Sequence, residues 1–426
     1  MSWNKVKLGE ICRIEKGATG ILKAIPGEYP MVVTGEERKS HNEYQFDEEA
    51  VIIPLVSGTG HGHASIKRIH FQSGKFALGS ILCAVIPKDK KKLSAEYLYR
   101  FLDLNKENEL VARMKGMANV TLPMKEIAQI EIPLPSLKEQ FKFVESYKAL
   151  ESNSEELASE LSHQLTIVKK LRQQLLQDAV QGKLVSQDKN AEPASELLKK
   201  IKVEKVKDKK YKELPAIKSE EIPFEIPDNW TWCKLGDIAI DVSTGPFGTM
   251  LHKSDYVQNQ IPLVNPMNIV NEKIVPSHKM TVDQTTIKRL KNYVLNAGDI
   301  VISRRGEMGR CAAVTENEKG WLCGTGSFFI RLYPSINREY FVKVIGSTYS
   351  KNYLLGSSVG STMNNLNHKI LNSLLIPVPP IAVQQGIVSK LKELVQICDE
   401  LDASIQASKG QNEQLLQQVL REALKG

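Results

Sequence analysis

Apolar residues along this chain follow two kinds of spacing. In residues 1–140, and again in 223–380, they come as short runs such as VIIPLV (51–56), SILCAVI (80–86), IPLV (261–264), DIVIS (299–303) and SFFIRLY (327–333), cut by Gly and Pro. Such runs predict buried strands in two loop-rich α+β domains, with a helix over EYLYRFL (96–102). Elsewhere the spacing changes to steps of three and four: Leu157, Leu161, Leu165, Val168, Leu171, Leu175, and later Ile387, Leu391, Leu394, Cys398, Leu401, Ile405. Both are helical patterns, the second alternating steps of four and three as a heptad seam, and forty-odd residues of each predict helices about 60 Å long. The second seam breaks at Ser408 and Asn412, near Gly410, and resumes at Leu415 and Val419. Two such helices, each following an equivalent domain, predict an antiparallel two-helix coiled coil with pseudo-two-fold symmetry.

The equivalence is written in repeated phrases. IPLPSLKEQ (132–140) returns as IPVPPIAVQ (376–384), where Pro ends a strand and a helix begins. Trp3, Lys7, Leu8, Gly9, Glu10 and Ile11 return 227 residues later as Trp230, Lys234, Leu235, Gly236, Asp237 and Ile238. AVIIPLVSGTG (50–60) aligns with DIVISRRGEMG (299–309) through Gly58 and Gly306, and Leu78–Leu82 aligns with Thr325–Phe329. Gly116, Leu122 and Lys125 meet Gly360, Leu366 and Lys369. Four blocks in one order make an internal repeat, with about twenty extra residues in the second copy around TVDQTTIKRLKNY (281–293). The expected division is 1–140, first domain; 141–185, first helix; 186–222, charged linker; 223–380, second domain; 381–426, second helix. Because paired tryptophans belong to the shared scaffold, Trp3, Trp230 and Trp232 are expected in cores.

Composition changes this picture little. The 426 residues, 42% of them hydrophobic, suit two or three domains with real cores. The formal net charge is +8, but residues 198–213 carry eight Lys against Glu204, Asp208 and Glu213, so much of the excess sits in the linker. That linker is expected to be solvated. Six cysteines without a CxxC pair predict neither a disulfide framework nor a zinc cluster, and no long apolar run predicts a signal or membrane segment. A reducing cytoplasm is the expected compartment.

The layout, W-x3-KLG-[DE]-I written twice, the two helix-start phrases and DAVQGKL (178–184) together resemble the specificity subunit of type I restriction-modification systems. The second start departs from the first, with Val383 in place of Glu139. The resemblance implies a non-catalytic protein that reads a split sequence in double-stranded DNA. It also implies two methylation subunits using S-adenosylmethionine, restriction subunits using Mg-ATP, and no cofactor on this chain.

Candidate DNA-reading residues lie in four loops. SGTGHGHASIKR (57–68) offers His61, His63, Lys67 and Arg68, and the aligned SRRGEMGR (303–310) offers Arg304, Arg305 and Arg310. Arginine's fork suits guanine O6 and N7. The rival readings are a plain surface turn, a metal site on His61 and His63, and pairing of an arginine with Glu307. A second loop per copy offers Lys115, Asn119 and Thr121, and Asn364, Asn365 and His368. Asparagine suits adenine, although asparagines also make turns. Two other function classes compete. A DNA methyltransferase would need an Asn-Pro-Pro-aromatic motif, for which Asn265-Pro266-Met267-Asn268 is a poor substitute, and no GxxxxGK[ST] loop occurs. A coiled-coil scaffold without DNA readout would bind only protein.

Overall fold

The computed structural model describes residues 3–58, 63–117, 119–188, 191–208, 211–357 and 366–423. They divide into two compact units, Met1–His163 with Ile405–Gly426, and Gln164–Ser404. Each long helix is therefore shared, and neither forms a body of its own.

Unit 1 holds an antiparallel four-stranded sheet in the order Cys12–Lys16, Leu82–Pro87, Ala50–Pro54, His70–Gln72. Its two central strands are buried at every residue, which explains why their sequences are apolar runs without alternation. A second sheet runs Lys39–His41, Tyr29–Val32, Lys75–Leu78, Phe46–Asp47, with its two middle strands parallel. The helix Ala95–Leu104 buries Tyr97, Leu98, Phe101 and Leu102 and is capped by Ser94. Lys5–Lys7 pairs with Glu131–Pro133 at the domain's base.

Unit 2 repeats this plan. Its first sheet runs Ala239–Thr244, Ser327–Leu332, Ile300–Ser303, Cys311–Ala313, again antiparallel. Its second runs Tyr256–Val257, Thr281–Val282, Ile261–Val264, Leu322–Cys323, with the last pair parallel. Thr231–Lys234 pairs with Leu375–Val378. The extra segment supplies the helix Gln284–Arg289, capped by Asp283, whereas the strand Thr281–Val282 before it lies antiparallel beside Ile261–Val264 as Lys39–His41 lies beside Tyr29–Val32.

Hydrogen bonding corrects the middle of the sequence alignment. Pro54 faces Leu82 as Ser303 faces Ser327, so Ser303 is the counterpart of Pro54 and Ser57, not Gly58, answers Gly306. Gly79 N donates to Val32 O at 3.0 Å as Gly324 N donates to Val264 O at 2.9 Å, so Gly79 answers Gly324, not Gly326. Apolar runs slide freely against one another; hydrogen-bond partners do not.

The repeated helix-start phrase has a mechanical purpose. Gln140 is fully buried, accepts from Ser94 N at 2.8 Å and donates to Lys92 O and Pro135 O, both at 2.8 Å. Gln384, also fully buried, accepts from Asn337 N at 2.8 Å and donates to Pro379 O at 3.0 Å. Each glutamine ties the first turn of a long helix to the start of the domain's packed helix. The tyrosine that follows does the same for the strand, Tyr97 to Pro133 O at 3.0 Å and Tyr340 to Pro377 O at 2.8 Å. Glu139 adds a cap at one start, accepting from Ser136 N and Oγ, while Val383 is buried in the core of unit 2.

The long helices span Leu137–Val180 and Ile381–Ala423, about 65 Å each at 1.5 Å per residue. Within unit 1 they run antiparallel, with Asn412 Nδ2 donating to Ser154 O at 2.9 Å and Leu416 and Leu420 packing with Phe143, Val144 and Tyr147. Within unit 2, Arg172 pairs with Asp399 and, at 3.4 Å, with Asp402. The helix passes Ser408 and Gly410 without a break, and Asn412 spends its polarity across the helix pair. The expected seam needs correction: Leu157, Leu171, Leu401 and Leu415 are exposed, and each precedes a seam residue, Ala158, Arg172, Asp402 and Leu416. Gly182 ends the first helix at φ +75°, where a Cβ would lie 2.6 Å from Pro227 Cγ, so DAVQGKL is a helix stop fitted against Pro227 and Trp230.

Residues 186–222 are not simply solvated. The helix Ala194–Lys205 buries Ala194, Leu197 and Ile201 in the core of unit 2, Lys205 Nζ donates to Ala239 O at 2.7 Å, and Trp230 Nε1 donates to Gln187 Oε1 at 2.9 Å. Lys199, Lys200 and Lys202 line its outer face, while the apolar residues three or four positions apart turn inward. Trp230 is a core residue, as expected, whereas Trp3 and Trp232 are half-buried.

Candidate nucleic-acid interface

Sheet register decides which loops share a surface. In unit 1 Lys16 faces Cys83 and Pro54 faces Leu82, so the segments after Lys16 and after Pro54 leave the same end of the first sheet. The loop 114–121 joins them: Val56 bridges Thr121, Ser57 N donates to Val120 O at 2.9 Å and Leu122 N to Leu55 O at 2.9 Å. In unit 2 Thr244 faces Phe328 and Ser303 faces Ser327, and Leu366 N donates to Arg304 O at 3.2 Å. The described residues of the loops singled out in the sequence therefore meet, pair by pair, at one end of each unit.

Within unit 1, Lys67 and His63 are exposed; the His63 carbonyl accepts from Ser57 Oγ at 2.5 Å, and the Lys67 carbonyl accepts from Lys106 Nζ at 3.1 Å. Arg68 pairs with Glu36 at 2.8 Å. Lys115 is committed to Glu126 at 2.7 Å, and that bond holds the Glu126 carboxyl below the usual range. Thr121 and Lys115 exchange backbone hydrogen bonds, and both Thr121 and Asn119 are exposed. His61 lies outside the described residues. Among those described, no three His, Cys, Asp or Glu side chains gather as metal ligands.

A further basic group beside this loop has no signal in the sequence. Arg38 Nε donates to Gln72 Oε1 at 2.9 Å, Nη2 donates to Phe71 O at 3.4 Å, and Nη1 lies 3.2 Å from His70 Nδ1. Burial, then Arg38 and Arg68, push the His70 imidazole down to about 4, so it is neutral at neutral pH. A lone arginine after Glu36 and Glu37 carries no local pattern; only the strand pairing brings it there.

Unit 2 sorts its arginines. Arg310 is spent on Glu307, 2.5 Å away, and on Pro266 O at 3.3 Å, which is the structural role weighed against base contact; its cation holds the Glu307 carboxyl low. Arg304 stands over the buried Phe328 ring, 5.9 Å to the centroid, and its Nε is buried with no hydrogen-bond partner among the described residues. His368 meets the same ring edge-on at 5.2 Å. Arg305 is exposed beside them. Asn364 and Asn365 lie outside the described residues. The arrangement offers guanidinium and imidazole donors on a rigid aromatic base, which suits acceptors such as guanine edges or phosphate oxygens.

The family model described as type I restriction modification DNA specificity domain matches residues 1–166 and 227–408. The specificity subunit of the type I restriction enzyme EcoEI from Escherichia coli is 31% identical over 263 residues, which is 56% of this chain and 42% of that relative's length. The chain thus spans less than half of that relative. The EcoDI specificity subunit, also from Escherichia coli, is 23% identical over 438 aligned residues, covering 100% of this chain and 88% of the relative. Among solved structures, a chain from a type I R-M system studied for complex assembly and conformational transition superposes with a TM-score of 0.65 at 17% identity, covering 100% of this chain and 98% of its own. The HsdS subunit from Thermoanaerobacter tengcongensis gives 0.59 at 18% identity, covering 100% and 97%. With two matched regions spanning most of its length, the chain belongs to the family of type I restriction modification DNA specificity domains.

Proposed function

We propose that this chain is a non-catalytic specificity subunit: each unit reads one half of a bipartite target in double-stranded DNA, and the long helices set the half-site spacing and dock two methylation subunits. The partners would supply the chemistry, S-adenosylmethionine on the methylation subunits and Mg-ATP on the restriction subunits, all in the cytoplasm. Six buried, unpaired cysteines suit that compartment, and no helix among the described residues is long and apolar enough to cross a membrane. Lys67, Arg68, His63 and Asn119 in unit 1, and Arg304, Arg305 and His368 in unit 2, are the proposed contacts, with His61, Asn364, Asn365 and Thr121 beside them and Lys115 and Arg310 in support.

The observation that carries this reading is a shared scaffold with unlike loops. Strand order in the first sheet, the buried glutamine and the tyrosine–carbonyl bond recur, while the loop ends carry histidine and lysine in one unit and, in the other, Arg304 on an aromatic ring with Arg305 beside it. Two readers of different half-sites need this combination. Replacing residues 1–140 with the equivalent domain of a relative, then mapping methylated sequences in cells that carry the whole system, should change one half of the target. If both halves change together, the units are not independent readers.

A further inference from the structure

A third segment leaves the loop end of each unit, and it is apolar. In unit 1 the chain after Lys16 forms a short turn in which Leu22 is 101% exposed and Ile25 59% exposed. The turn is nevertheless rigidly held. Ile21 and Ala24 pack on Met31, Val33 and Ala77; Thr19 N donates to Leu78 O at 3.2 Å; His41 Nδ1 sits 3.2 Å from Ile25 N and 3.0 Å from Ile25 O. In unit 2 the equivalent turn exposes Phe247 by 54% and Met250 by 39%, while Leu251 packs inward beside Leu263 and Val282. Both turns begin at a glycine that a side chain could not replace: a Cβ on Gly17 would lie 2.2 Å from Gly79 O, and one on Gly245 would lie 2.0 Å from Gly324 O.

We propose that the turn Gly20–Ile25, with Leu22 at its tip, is an apolar wedge that enters the DNA beside the half-site of unit 1 and unstacks one base step. The proposal rests on the reading that this sheet end meets DNA. Leucine, isoleucine, methionine and phenylalanine are the side chains that wedge between base pairs and bend the duplex. Exposed Lys16 and Lys23 flank Leu22 in the chain, and Lys67, next to the Glu36-paired Arg68, precedes His70 at the same end of the sheet, so the apolar tip stands at an end that carries cations suited to phosphates rather than to an apolar protein groove. Recurrence of the turn in both units, whose reading loops differ, fits a task that does not depend on sequence.

The test uses the full chain assembled with its methylation subunits and duplexes of the mapped target, with 2-aminopurine placed at each position in and around the half-site of unit 1. The expected result is a fluorescence rise at one step that Leu22→Ala abolishes and Leu22→Phe retains, with affinity for the target falling roughly tenfold in the alanine variant, the weight of one apolar side chain buried at an interface. Leu22 is wholly exposed, so neither variant should disturb folding. Specific binding with the same fluorescence profile in wild type and Leu22→Ala overturns the wedge and leaves DNA reading intact. Loss of subunit assembly in Leu22→Ala, seen by sedimentation, makes the turn a protein contact and also overturns it. Failure of the wild-type complex to bind any duplex specifically removes the underlying reading itself.

Discussion

Replacing Gln140 with leucine keeps its volume but removes three hydrogen bonds, to Ser94 N, Lys92 O and Pro135 O. Their weights differ. Lys92 is exposed, so water can take over its carbonyl, whereas Pro135 is buried and Ser94 half-buried at the start of a packed helix. Two polar groups left unpaired, at about 1–3 kcal/mol for each buried one with the partly exposed Ser94 at the low end, put the loss at about 2–4 kcal/mol. Because every 1.4 kcal/mol is a factor of ten, amide exchange through opening of unit 1 should accelerate roughly 30- to 1000-fold. Hydrogen exchange of the full chain, read by mass spectrometry on peptides covering 94–104 and 137–150, measures this directly. Peptides from unit 2 should be unaffected, and Gln384→Leu should give the mirror pattern through Asn337 N and Pro379 O. Unchanged exchange at 94–104, or equal acceleration in both units, would refute the idea that each buried glutamine clamps its own domain to its own helix.

Other perturbations test the interface and the helices. Arg304→Ala should cost about 1–3 kcal/mol of target affinity and relax one position of the half-site read by unit 2, while Arg310→Ala, already engaged by Glu307, should change affinity without changing the methylated sequence; equal effects in a methylation map would refute the distinction. His70 is held at about 4 against an ordinary 6.5, so the unfolded chain binds a proton between these values and the folded chain does not; unit 1 should lose about 1–3 kcal/mol as pH falls from 6.5 towards 4 and none above it. His70→Gln should flatten that slope in urea titrations at stepped pH, and an unchanged slope would exonerate His70. Leu157→Ser with Leu415→Ser in unit 1, or Leu171→Ser with Leu401→Ser in unit 2, should each remove one methylation subunit from the complex, as apolar side chains worth about 1.5–3 kcal/mol each become polar; retention of both subunits in sedimentation would place the docking face elsewhere.

Much of the scaffold was legible because it is written in residues whose backbone demands are specific. Proline at 133 and 377 and glutamine at 140 and 384 have few ways to be satisfied, so their recurrence marked the repeat, the two domains and the helix starts. The seam was misplaced by one position because leucines at 157, 171, 401 and 415 fit a heptad as well as their neighbours do. Polar residues whose side chains bond across the pair, Arg172, Asp402 and Asn412, hold seam positions that a hydrophobicity pattern cannot assign. The linker helix Ala194–Lys205 was hidden for the opposite reason, since its lysines outnumber the three residues that anchor it.

The candidate site was legible as loops that come together and not as residues, and the cause is how those loops are held. Ser57 N to Val120 O, Leu122 N to Leu55 O, Arg304 N to Gly326 O and Leu366 N to Arg304 O are all bonds between backbones. A loop fixed by its backbone keeps its position whatever side chains it carries, so those side chains can change without a penalty in folding. The same freedom removes any pattern that would separate a cation proposed for DNA from one spent on a neighbour. Lys115 and Lys67 look alike in the sequence, as do Arg310 and Arg304; Glu126, eleven residues from Lys115, and Glu307, three from Arg310, make the difference. Where reading must vary while the frame stays constant, side chains clamp the frame and backbone hydrogen bonds carry the reader, and sequence repetition is then expected in the first and absent from the second.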